Sequence, residues 1–123
     1  MGRRLNLALY RQHVQIVQDN AAAASLMATA PEDRQRQNAI VKETVRALAA
    51  TGHRLGLDLT RQQVQVVYEA ALVGARAATS DDVRQRQETV ARRAHRALGF
   101  ANAGANFRVD DLLQGIFEPE KDA

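Results

Sequence analysis

Fifteen of the 17 basic residues are arginine, and arginines recurring at a fixed spacing are the residues best suited to chemistry. Arg34-Gln35-Arg36-Gln37 returns later as Arg84-Gln85-Arg86-Gln87. A guanidinium presents a planar fork of donors that matches phosphate or carboxylate. A helix N-terminus beside it adds unpaired backbone N–H groups. Arg34, Arg36, Arg84 and Arg86 are therefore candidate anion ligands, with Glu32, Asp33, Asp81 and Asp82 as the competing partners inside the chain. Arg92, Arg93 and Arg96 form a second cluster, of the kind that can follow a phosphate backbone. The three histidines, His13, His53 and His95, share no i, i+4 spacing and form no HExxH or Glu-x-x-His pattern. With no cysteine in the chain, neither a thiolate zinc site nor a cysteine nucleophile can form. No metal, no cofactor and no catalytic constellation are expected.

Two short stretches resemble motifs of known families. Ala94-His95-Arg96-Ala97-Leu98-Gly99, followed by Asn102-Ala103-Gly104-Ala105, resembles the phosphoacceptor motif of histidine phosphotransfer domains, which implies a four-helix bundle with an exposed histidine. Leu98 stands where that family has lysine, and the later Asn and Gly fall one position early. Arg46 to His53 is similar to the Arg-x(4–6)-His motif of HEPN ribonucleases, but Ala103 replaces the histidine in the second copy. Neither resemblance extends beyond a dozen residues.

The elements that must position these groups follow from an internal repeat. Leu9 to Val17 matches Leu59 to Val67, Arg34 to Gln37 matches Arg84 to Gln87, and Arg46-Ala47-Leu48 matches Arg96-Ala97-Leu98. All lie at one offset of 50, and 18 of the 50 pairs from residue 5 to 54 are identical, which identifies a tandem duplication. Apolar positions step by four and three through Tyr10, Val14, Val17, Ala21, Ala24 and Ala28, through Val64, Val67, Ala71, Gly74 and Ala78, and through Val41, Val45, Leu48, Gly52 and Leu55. Pro31 with Glu32 and Asp33 marks one helix start, and Ser80 with Asp81 and Asp82 marks its counterpart. Gly56-Leu57-Asp58-Leu59-Thr60 reads as the joint between copies, with Asp58 or Thr60 as a cap.

These signals predict helices near 6–29, 32–54, 60–79 and 81–101. The expected fold is all-α: a 50-residue helical hairpin duplicated into an up-down-up-down four-helix bundle. The bundle covers 1–106, with repeats at 5–54 and 55–104. Aromatics make up only 4% of the chain and tryptophan is absent, so alanine and valine with some leucine should form the core. Gln12, Gln15, Gln62 and Gln65 sit beside the apolar stripe, as a polar register layer or as boundary residues.

Beyond the bundle, Val109, Leu112, Leu113, Ile116 and Phe117 form one face of a short amphipathic helix over 107–117, before a loose tail at 118–123. That face suits a groove on a partner, or the end of its own bundle. The N-terminal Met1-Gly2-Arg3-Arg4 starts like a signal peptide, but Asn6 and Arg11 interrupt its apolar stretch. A membrane span is not expected, and a cytoplasmic location is.

The functional expectation is a non-enzymatic interaction protein binding a protein partner or itself. The alternative is an arginine-dependent nucleic-acid-binding protein. Against it stand a net charge of only +3, few aromatics and no helix-turn-helix pattern.

Overall fold

The computed structural model describes residues 4–99, so the amphipathic segment at 107–117 lies outside the described residues. The chain is mostly helical, but it opens on a strand. The order is β1 (Arg4–Tyr10), α1 (Arg11–Met27), α2 (Pro31–Leu48), β2 (Arg54–Thr60), α3 (Arg61–Ala77) and α4 (Asp81–Leu98).

The two strands are the correction to the all-α expectation. Leu5, Leu7 and Leu9 alternate with polar or small residues, as do Leu55, Leu57 and Leu59. That is the period of two of a half-buried strand. The helical stripe does not begin at Tyr10, which ends β1 and is 44% exposed. Gly56 to Thr60 has the composition of a joint because Gly and Asp are poor strand formers. Both point outward, where strand propensity matters least.

β1 and β2 pair antiparallel, from Arg4 opposite Thr60 to Tyr10 opposite Arg54, with Leu7 opposite Leu57 at the centre. Residues 7 and 57 are themselves 50 apart, so a twofold axis relating the copies would pass between them. An isolated two-stranded ribbon is marginal in water. Here its inner face is sealed on the helices: Leu7, Leu9, Leu55, Leu57 and Leu59 are all buried. Each can contribute about 1.5 to 3 kcal/mol gross. Leucine from the ribbon, more than alanine, supplies the large side chains of the core. Val14, Val17, Ile40, Val64, Val67 and Val90 complete it from the helices.

The helices end earlier than their periodicity suggests, and their caps explain why. Pro31 opens α2 and Ser80 Oγ accepts from Val83 N at the start of α4. Thr60 caps α3 in a reciprocal box with Gln63. At the other end, Arg11 donates to the carbonyls of Leu48, Ala50 and Gly52, closing α2. Arg61 donates to Leu98 O in the same way, closing α4 beside Gly99, which adopts φ +76°. In α2 the buried line is Ile40, Thr44 and Ala47, and Val45, expected inside, is 54% exposed.

Candidate nucleic-acid interface

Sealing Leu5, Leu7, Leu9, Leu55, Leu57 and Leu59 inward obliges the alternate residues of the ribbon to face out. Arg4, Asn6, Tyr10, Arg54, Gly56 and Asp58 are exposed along one continuous face. That face ends against α2 on one side and α4 on the other, and the two ends differ in charge.

At the α4 end, Tyr10 stands opposite Arg54. The guanidinium of Arg54 lies 5.8 Å from the Tyr10 ring centroid, and that of Arg93 lies 6.0 Å from it. Both are within cation–π range. Thr89, Arg92, Arg93 and Arg96 fall at i, i+3, i+4 and i+7 on α4, so they share one face and line a cleft of about 190 Å³. Among the described residues, Arg54, Arg93 and Arg96 form no ion pair with a carboxylate. His13 is 7% exposed and packs beside Tyr10, with ring centroids 6.1 Å apart. Burial holds its pKa below the ordinary value, and the positive charges of Arg93 and Arg86 push it further down. Among the described residues this end therefore carries more positive charge than the α2 end.

At the α2 end the same positions are neutralised. Glu43 accepts from Arg46 and from the backbone N–H of Asp58, 2.6 Å away. Its pKa is lowered, chiefly by the Arg46 hydrogen bond. Arg46 also donates to Gly56 O at 2.9 Å, so two α2 side chains cover the outer edge of β2. Arg4 pairs with Asp58 at 3.6 Å.

Of the other candidate arginines, Arg86 lies near enough to act on His13, and each of the four has a partner of its own. Arg36 pairs with Asp33, Arg84 with Asp81 and Arg86 with Asp82, each within its own helix. Arg34 donates to Ala28 O. Arg36 and Arg86 line separate clefts. Of the sequence candidates, Arg93 reaches the ribbon at Tyr10 and Arg92 lines the α4 cleft with it; Arg54 and Tyr10 complete the cluster, and the alternation of Leu55, Leu57 and Leu59 is the signal that turns Arg54 outward. Val109, Leu112, Leu113, Ile116 and Phe117 lie outside the described residues. Gln12, Gln15 and Gln62 are exposed and Gln65 is half-buried, as boundary residues are.

The two motif resemblances find little geometric support. His95 is 2% exposed and packs on Tyr68, whereas a phosphoacceptor must be presented to solvent. Arg46 is held by Glu43 at the end of α2, and His53 lies in the turn before β2. Among the described residues no group of His, Asp and Glu is placed to hold a metal ion, and no helix is long and apolar enough to cross a membrane. Comparison with models of protein families, with curated proteins and with solved structures returned no match.

Proposed function

We propose that the chain is a non-catalytic, double-stranded DNA-binding protein that presents its two-stranded ribbon to the major groove. The observation that carries this reading is the α4 end of the ribbon, where Arg54 and Arg93 flank Tyr10 and Arg93 lines a cleft with Arg92 and Arg96. A B-form major groove admits a two-stranded ribbon as readily as a helix. The outward residues include types that read base edges: arginine for guanine and asparagine for adenine. The net charge of +3 is small, so attraction must come from where the cations sit rather than from their number. The deep, narrow major groove of RNA excludes a ribbon, which favours DNA.

Both strands of the ribbon come from one β-α-α unit, duplicated and fused in a single chain. Matching element lengths in the two copies, 7, 17 and 18 residues, support that origin. Anisotropy titration of a mixed-sequence duplex at roughly 50 and 200 mM salt tests the function. A loss of affinity by orders of magnitude between those salts is expected. An absence of binding at both contradicts it.

A contact with a protein partner or a second copy is the second reading. Leu26, Met27 and Val73 are 88%, 81% and 67% exposed. Ala23, Ala24, Ala70 and Val73 line an open groove of about 520 Å³. If Leu26→Lys with Val73→Lys leaves the oligomeric state and any protein binding unchanged, that contact is absent.

A further inference from the structure

The two ends of the ribbon are built from corresponding positions of the repeat, yet their chemistry has diverged in one direction. Lys42, Glu43 and Arg46 on α2 occupy the places of Arg92, Arg93 and Arg96 on α4. On the strands, Asp58 occupies the place of Ala8, Asn6 that of Gly56, and Tyr10 that of Thr60. The α4 end therefore gathers Arg54, Arg92, Arg93 and Arg96, with arginine and alanine at the two places that hold Glu43 and Asp58 at the other end. The α2 end gathers Arg4, Lys42 and Arg46 against those two acids.

We infer that this chain recognises a duplex DNA site without twofold symmetry, with its phosphate contacts concentrated on the flank under α4. The inference rests on the ribbon being the DNA-binding face. A ribbon formed by two identical chains must present the same residues to both half-sites, so it favours palindromes. Fusion of the copies removes that constraint. Base-reading types then differ between halves, since Asn6 meets one half-site where Gly56 meets the other. Glu43 and Asp58 repel phosphate on the α2 flank, while the matching Arg93 attracts it on the α4 flank. The ion pairs of Glu43 with Arg46 and Asp58 with Arg4 engage two of the three cations of the α2 flank, leaving Lys42.

The test is selection from a pool of duplexes randomised over about two helical turns, followed by ethylation interference on the enriched duplex. The expected result is a consensus lacking twofold symmetry, with interfering phosphates on one flank. In Glu43→Arg with Asp58→Ala, phosphates of the other flank should join the pattern, and the salt slope should steepen by about one to two. Should that variant fail to fold, as circular dichroism would show, the wild-type interference pattern decides alone. A palindromic consensus with equal contacts on both flanks overturns the inference. Salt-dependent binding with no enriched consensus also overturns it while leaving duplex binding intact. No binding at all removes both.

Discussion

Asn20 and Gln87 exchange two hydrogen bonds between α1 and α4: Asn20 Nδ2 donates to Gln87 Oε1 at 2.9 Å and Gln87 Nε2 donates to Asn20 Oδ1 at 3.0 Å. Gln87 is buried, and its carboxamide lies over Gly74, where an added Cβ would sit 2.6 Å from Cδ. The first copy lacks this arrangement. Gln37 corresponds to Gln87, but it faces Ala70 in place of Asn20 and Ala24 in place of Gly74. Gln37 Oε1 is buried and accepts no hydrogen bond among the described residues.

Asn20→Ala should destabilise the fold by about 1 to 3 kcal/mol, because it strands a buried carboxamide. Gly74→Ala should cost less, since displacing Gln87 is offset by a helix-propensity gain of about 1 kcal/mol. The two together should cost less than their sum, as both remove one interaction. Urea unfolding of the four proteins checks this; strict additivity would mean that the two sites are not coupled through Gln87.

Arg11 and Arg61 correspond in the repeat, and each closes the second helix of its own copy. Arg11→Ala should lower the unfolding free energy by roughly 1 to 3 kcal/mol, because Arg11 holds the carbonyls of Leu48, Ala50 and Gly52, and Arg61→Ala should lower it too through the loss of its bond to Leu98 O. Neither change should alter the salt slope of DNA binding by more than about one. Thermal unfolding and anisotropy separate the two effects.

His13 and His95 are both buried and both have pKa values lowered by that burial, His13 further by Arg93 and Arg86. A depressed histidine pKa means the unfolded chain binds the proton more readily. Stability is then fully present above the unfolded pKa of about 6.5 and declines as pH falls below it. Unfolding free energy should therefore drop between about pH 7 and 5. His13→Gln, which restores the residue found at position 63, should flatten part of that slope. An unchanged slope would remove His13 from the account.

The repeat, four helical segments and three of the helix starts are legible in the sequence, because each signal is local. Pro31, Ser80 and Thr60 act within one turn of chain. The ribbon is hidden there because its partners are about 50 residues apart and each strand carries only three leucines. Leu57→Ala, at a position with no exposure, should cost about 2 to 5 kcal/mol, which measures how far the core depends on that pairing. Arg92 and Arg93 are visible as a cluster, but Arg54 and Tyr10 join them only once β2 is laid beside β1. Nothing in the helical periodicity could turn those two side chains toward α4.

The most direct test of DNA binding at the ribbon is the slope of log affinity against log salt. It should be measured for the wild type and for the Arg92→Ala, Arg93→Ala, Arg96→Ala triple variant on one mixed-sequence duplex. Removing one phosphate-binding cation reduces the slope by about 0.9, so the triple variant should be shallower by about two to three with its fold retained. An identical slope and affinity in the two proteins would contradict the assignment of the α4 end of the ribbon as the DNA-binding surface.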